Sequence, residues 1–283
     1  MAHALTWLDV FTDRPLTGNG LAVVHDADGV SDDTMLAFAR ETHLSETTFV
    51  QTATEADADY RNRLWMMQGE LPFAGHPSLG TAVAVARARG ERSASYTQQT
   101  GAGLQPVEVE LGDGVARASM LQEPATFGDE VDAGAVLRAL GLEPGDVAPD
   151  LPPQVVGTGI AQLVVPVVAA AALDRVAPDA GALRPLLEGP GCVCAYVAFI
   201  DADREVASAR SFFVDGGATV EDPATGSAAG PLMAYAHART GAARLAIDQG
   251  VAMGRPSRLL CEAGERVRVA GDALVLFEST VDL

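Results

Sequence analysis

The sequence predicts an α+β protein of two similar halves, each a curved sheet wrapped around one buried helix. Three observations carry this. His76-Pro77-Ser78-Leu79-Gly80-Thr81-Ala82 and Asp222-Pro223-Ala224-Thr225-Gly226-Ser227-Ala228 share one pattern: a polar residue, proline, two residues, glycine, a hydroxyl and alanine. The offset, 222 − 76 = 146, is about half of the 283 residues, as an internal duplication requires. The helix read from the first copy, Pro77 to Arg89, is nearly all Ala, Val, Leu, Thr and Gly on every face, which marks an enclosed helix rather than a surface one. Short β-branched and apolar runs separated by Gly, Pro and Asp fill most of the rest. The halves are expected at residues 1–122 and 123–272, with the last strand, 273–283, as the candidate to complete the first.

In order, Leu5 to Phe11 reads as a strand. Thr17-Gly18-Asn19-Gly20 reads as an Asn-Gly hairpin turn into a second strand, Leu21 to His25. Ser31 caps a helix whose first turn carries Asp32 and Asp33 and whose apolar face is Met35, Leu36, Phe38 and Ala39. Leu44 to Val50 is a loop entering a strand, with Glu46 at the junction; Tyr60 to Met67 is a strand leading to the first repeat helix, Pro77 to Arg89. Strands follow at Ser93 to Gln99, Val107 to Leu111 and Val115 to Leu121, punctuated by Pro106 and Gly112-Asp113-Gly114. The second half opens with a helix to Leu140 stopped by Gly141. Strands at Gln162 to Val167, Cys194 to Ile200 and Ala207 to Phe213 bracket a helix at Ala180 to Leu187. At the second repeat, Asp222 before Pro223 reads as the N-cap of a helix beginning at the proline. Arg244 to Asp248 and the final segment are strands.

An apolar fraction of 48% suffices for folded cores, and 38 acidic against 19 basic residues, net −19, argue against nucleic acid and anionic membranes as partners. All basic residues are arginine, so a lysine Schiff base with pyridoxal phosphate and a Walker-type phosphate loop are excluded. Three cysteines without paired spacing, and no targeting segment, point to the cytoplasm. His3, His25, His43 and His237 are not spaced as a metal set, so no metal site and no cofactor are expected.

Helix starts expose unpaired N–H groups and a positive field, so the two repeat helices converging on one cleft would make a carboxylate site, with Gly226 and Ser227 in the second turn-in. His76 is a mediocre cap and would stay neutral there, suited to hydrogen bonding or proton shuttling. Asp222 reads equally as a cap or a functional carboxylate. Glu46 alone says little, since strand-end glutamates are usually solvated.

Taken together, LDVFTDRPLTGNGLAVV, LSETTFV, ELPFAGHPSLGTA, EDPATGSAAG and QGVAMGRPS, in this order over nearly the whole chain, resemble the PhzF-like isomerases of phenazine biosynthesis. The resemblance implies the diaminopimelate epimerase-like fold, two pseudo-symmetric halves of mostly antiparallel sheet, and a homodimer. It implies Glu46 as general acid/base, His76 and Asp222 assisting proton movement, and Asn19, Ser45, Gly75, Thr225, Gly226 and Ser227 as substrate-binding residues. The substrate would be a small carboxylate-bearing metabolite whose proton and double bond are moved without a cofactor. A glutamate suits that role when apolar neighbours raise its basicity, and Phe49 and Phe73 are the candidates. A non-thiol epimerase or dehydratase acting on an amino or hydroxy acid, and a catalytically silent binding protein, are the alternatives. Thiol-based racemisation is set aside because His76 and Asp222 occupy the repeat positions. Gly20 after Asn19, and the run Trp65 to Gly69, depart from the family pattern.

Overall fold

The computed structural model describes all 283 residues and divides the chain into two compact units, Met1–Leu121 with Ala270–Leu283, and Gln122–Val269. In the first, β1 (Ala2–Val10), β2 (Asn19–Val24), α1 (Asp32–Thr42), β3 (Glu46–Gln51), β4 (Tyr60–Met66), β5 (Gly69–Leu71), α2 (Gly75–Arg89), β6 (Ser93–Thr100), β7 (Gly103–Leu111) and β8 (Ala116–Leu121) follow one another. The second holds β9 (Thr126–Glu130), α3 (Ala133–Leu140), β10 (Gln154–Gly157), β11 (Ala161–Val167), α4 (Ala170–Leu173), α5 (Ala180–Glu188), β12 (Ala195–Asp201), β13 (Val206–Asp215), β14 (Ala218–Asp222), α6 (Gly226–Thr240), β15 (Arg244–Gln249) and β16 (Ser257–Glu262). The last strand, β17 (Arg268–Asp282), pairs with β1 and β8.

The first sheet runs β17, β1, β2, β3, β4, β6, β7, β8, and the β8–β17 pairing closes it. Because side chains alternate across a strand, one set points inward and the next outward. A Cβ placed on Gly80 of α2 would lie 2.6 Å from Leu21, 2.7 Å from Val10 and 3.4 Å from Leu8, which marks those three as inward-facing and Gly80 as a point of close helix–strand approach. The outward set, Leu5, Ala22, Val24, Phe49 and Trp65, packs against Met35 and Ala39 of α1 in a separate cluster. Helix α2 is buried from Gly75 through Ala86, as its uniform apolarity requires, and each Val or Leu enclosed this way contributes about 1.5–3 kcal/mol. Gly90 ends it in the left-handed conformation, φ 70°, beside Arg87 and Arg89 that complement the helix C-terminus.

The second unit repeats this connectivity. β10 is antiparallel to β11, β11 parallel to β12, β12 antiparallel to β13, β14 a hairpin on β13, β13 parallel to β15 and β15 antiparallel to β16. Pairs β1 to β7 follow the same sequence of directions, with β5 the hairpin on β4. Helix α6, also 15 residues, follows β14 as α2 follows β5, and ends on Gly241, φ 77°. An outer layer of α3 and α5 packs Val136, Leu140, Leu183 and Leu187 on Leu163, Val165 and Phe212. The fold is α+β, two like halves of curved, mostly antiparallel sheet around a central helix.

The repeat register differs from the one the residues suggested. Helix starts are separated by 226 − 75 = 151 and their terminal glycines by 241 − 90 = 151, so the 146-residue match pairs positions that are not structurally equivalent. Nor is Asn19-Gly20 a turn: both residues lie in β2 opposite Val10 and Asp9. The chain reverses earlier, where Phe11, Leu16 and Gly18 take positive φ and a Cβ on Gly18 would sit 2.4 Å from the Val10 carbonyl. Pro106 does not interrupt β7 but pairs with Thr97 inside it. The position is tolerated because the Thr97 N–H and C=O are used by Asp59 instead, leaving no ladder bond that needs the missing proline N–H.

Candidate active site

In the first unit, β2, β3 and the start of α2 bring three of the sequence-selected residues together. Glu46 and Leu21 are register partners in the parallel β2–β3 pair, and Glu46 shares its face with Thr48, whose hydroxyl is 2.8 Å from that of Thr81 on α2. Asn19 shares the face of Leu21. His76, second residue of α2, is thereby enclosed: Asn19 Nδ2 lies 3.3 Å from its Nδ1, and Glu46 Oε2 lies 3.5 Å from its Nε2. Asn19 and His76 are buried, while the Glu46 side chain keeps 13% exposure. Ser45 is exposed just before β3, and Gly75 is buried as the first residue of α2. Phe49 does not flank Glu46. Three positions along the strand it points to the opposite face, into the α1 cluster with Phe38 at 6.2 Å. Trp65 likewise belongs to that cluster rather than to the site.

Burial pushes the His76 imidazole down from its ordinary 6.5 to about 3, opposed by the hydrogen bond with the Gly20 backbone carbonyl. The ring is neutral at physiological pH. A carbonyl only accepts, so the Gly20 bond uses a ring N–H, and that N–H is on Nδ1, because Nε2, the nitrogen that faces Glu46, makes no hydrogen bond. A folded pKa below the unfolded one means that the unfolded chain holds more protons between the two values, so stability rises with pH through that window and is lost as pH falls across it. Burial moves His25 the same way, with Asp26 and Glu278 opposing. The urea midpoint should therefore fall between about pH 7 and about pH 5, and fall less in a His76→Asn protein.

In the second unit, Asp222 is the last residue of β14, and the N-cap of α6 is Thr225. The expected cap at Asp222 is thus corrected: Pro223 and Ala224 form a turn between strand and helix, and the helix begins at Gly226. Thr225 makes no side-chain cap bond: its hydroxyl donates to Asp222 Oδ2 at 2.5 Å, and its oxygen accepts from Gln249 Nε2 rather than from a helix N–H. Gln249, at the end of β15, completes the group. Its Nε2 donates to the Asp222 carbonyl at 2.8 Å and to Thr225 Oγ1 at 3.1 Å. Its Oε1 accepts from Tyr196 at 2.7 Å and from the Thr225 N–H at 3.2 Å. Gln249 and Tyr196 were not singled out from sequence. Gln249 opens the QGVAMGRPS motif but was given no role there, and strand order alone shows where it points.

Both central helices begin without a side-chain cap and without an acidic residue in the first turn. In α6 the first intrahelical bonds come from Ala228 and Ala229, both to the Thr225 carbonyl, so the N–H groups of Gly226 and Ser227 precede the ladder. No acidic residue lies in the first turn of this 15-residue helix, and the Asp222 carboxylate is held at its N-cap through the Thr225 hydroxyl. A Cβ on Gly230 would lie 1.7 Å from Gln122 Oε1. Gln122 is held by the Gly226 carbonyl and Thr158, which fixes the turn from behind. The residues that begin the two helices are Gly75 and Gly226, preceded by Ala74 and Thr225, so no cysteine stands at the structural repeat. Cys192, Cys194 and Cys261 are free and buried; desolvation pushes the first to about 11, the second to about 12 and the third higher. Protonated, buried thiols are poor nucleophiles. Nowhere do three His, Cys, Asp or Glu side chains group as metal ligands, and no helix is long and apolar enough to cross a membrane.

The model of the phenazine biosynthesis-like protein family matches residues 8–279. The chain belongs to this family. Among curated relatives, the trans-2,3-dihydro-3-hydroxyanthranilate isomerase of Pseudomonas aeruginosa is 37% identical over 94% of this chain and 93% of its own. A PhzF-family phenazine biosynthesis protein of Bacillus anthracis superposes over all of both chains with TM-score 0.88 at 27% identity. A probable proline racemase of Agrobacterium radiobacter matches 99% of this chain and 93% of its own with TM-score 0.63; at 14% identity it shows the fold alone, the diaminopimelate epimerase-like one. The PhzF-like chain is therefore an enzyme, an isomerase of a small molecule, and the alternative of a silent binding protein is dropped.

Proposed function

We propose that this PhzF-like isomerase moves a proton, and with it a double bond, within a small carboxylate-bearing metabolite, with Glu46 as general acid/base and no metal or organic cofactor. The observation that carries the reading is the Glu46–His76 pair. A carboxylate only 13% exposed stands 3.5 Å from an imidazole that burial keeps neutral. A neutral histidine adds no fixed cation that would weaken the carboxylate as a base, yet offers a group through which a proton can pass. Glu46 takes a proton from carbon, the electron pair shifts along the adjacent unsaturated system, and the protonated glutamate returns the proton at another carbon. The molecular formula is unchanged, so no oxidant or co-reactant is needed. Asp222 aligns the substrate and assists proton movement, and the amides of Gly226 and Ser227 receive the carboxylate, which the helix field favours by about 0.3–1 kcal/mol before desolvation is counted. Asn19, Ser45, Gly75 and Thr225 complete the binding set.

The compound named for the Pseudomonas aeruginosa relative is the probe to use. Purified protein incubated with trans-2,3-dihydro-3-hydroxyanthranilate in deuterated water should consume it and place deuterium on carbon, at a rate unaffected by prior dialysis against chelator. Activity lost to chelator and restored by a metal ion would overturn the cofactor-free reading. Consumption without carbon-bound deuterium would overturn the acid/base one. The working assembly is a cytoplasmic homodimer: three free, buried cysteines suit a reducing compartment, and sedimentation at about twice the 29.2 kDa chain mass tests the dimer.

A further inference from the structure

We propose that Gln249, itself held by Tyr196, is a positioning residue that sets the direction of the Thr225 hydroxyl and through it the orientation of the Asp222 carboxylate. The inference rests on the reading above, in which Asp222 works in the reaction.

Every hydrogen-bonding capacity of the Gln249 amide is used. Both N–H bonds go to acceptors, the Asp222 carbonyl and Thr225 Oγ1, and the oxygen takes two donors, the Tyr196 hydroxyl and the Thr225 N–H. Turning the amide over would set its NH2 against the Thr225 N–H and its oxygen against the Asp222 carbonyl, so one orientation survives. Thr225 Oγ1, receiving a proton from Gln249, has its own left to give, and gives it to Asp222 Oδ2 at 2.5 Å, the short distance of a hydroxyl donating to a carboxylate. Gln249, Tyr196 and Thr225 are 1%, 0% and 5% exposed, so water does not substitute for a lost partner and an orphaned group is costly.

The backbone adds a second restraint. Gly250 has φ 73°, and a Cβ there would lie 2.6 Å from the Pro223 carbonyl and 2.4 Å from that of Arg255. The end of β15 is thus pressed onto the turn that follows Asp222. β12, β14, β15 and the α6 N-cap each contribute one member of the chain Tyr196–Gln249–Thr225–Asp222. Thr225 forgoes the capping bond usual for its type in order to serve it.

The test uses full-length Gln249→Met, which keeps length and apolar volume but has no amide, with Tyr196→Phe and Thr225→Val as variants that retain the packing. Turnover of trans-2,3-dihydro-3-hydroxyanthranilate should fall about 10- to 100-fold in kcat for Gln249→Met, with KM changed by no more than about 3-fold. Tyr196→Phe should show a smaller loss of the same kind, and Thr225→Ser, which keeps the hydroxyl, should lose less than Thr225→Val. In crystals of Gln249→Met the Asp222 carboxylate should leave the position it holds against Thr225 or occupy more than one. Unchanged kcat, or Asp222 unmoved in that crystal, overturns the inference. If Asp222→Asn turns over the probe at the wild-type rate, the reading of Asp222 fails first. If Asp222→Asn is impaired while Gln249→Met is not, only the positioning role fails. For protein that leaves this compound unchanged, the crystal position of Asp222 decides alone.

Discussion

Glu46→Gln should bind substrate nearly normally and lose turnover by about 10²–10⁴-fold, the range for a positioned acid/base. Glutamine preserves length and can still donate or accept a hydrogen bond at the place where Glu46 Oε2 meets His76 Nε2, so the local packing on β3 is kept. What it loses is the ability to take a proton from carbon and hold it. The measurement is carbon-bound deuterium: wild-type protein in deuterated water should label substrate or product, and the glutamine variant should not. Exchange at the wild-type rate in Glu46→Gln would reduce Glu46 to a strand-end carboxylate and move the base to His76 or Asp222. Because the burial that keeps His76 neutral also makes it a weak base, such a result would first implicate Asp222.

Local physics made some of this fold legible in the sequence, and long-range contacts hid the rest. Helix α2 was legible because a segment apolar on every face has only one stable place, inside a sheet, and the structure buries it from Gly75 to Ala86. Ser31 was legible because capping is local: its side chain accepts from the Thr34 N–H before two acidic residues. Asp222 was misplaced because Asp-Pro is both a helix-start and a turn signal. The choice is made by Thr225 and Gln249, 24 residues apart in sequence, and no local rule contains that bond. Asn19-Gly20 failed for a related reason. Its turn propensity lost to the burial of Asn19 beside His76, 57 residues away. The grouping of Asn19, Glu46 and His76 came from family motifs; what places them together is the order β2, β3 and α2, which is a tertiary fact. The 146-residue match illustrates how a convincing pattern of polar residue, proline and glycine can lie five residues out of register with the 151-residue structural repeat.

Asp222→Asn should reduce kcat by about 10²–10³-fold, less than the upper range for Glu46→Gln, and leave the fold intact. The substituted side chain still has an oxygen to accept the Thr225 hydroxyl, so the bond at Asp222 Oδ2 can be re-formed, and the Gln249 bonds run to the backbone carbonyl of residue 222 and to Thr225, not to the carboxylate. Stability should therefore hardly move, and a melting temperature well below wild type would contradict the hydrogen-bond assignment. Loss of charge is the functional change. If Asp222 assists rather than performs the carbon proton transfer, the asparagine variant should still wash deuterium into carbon, slowly, whereas Glu46→Gln should not do so at all. An Asp222→Asn protein devoid of exchange while Glu46→Gln retains it would invert the two roles, making Asp222 the base and Glu46 the residue that aligns the substrate.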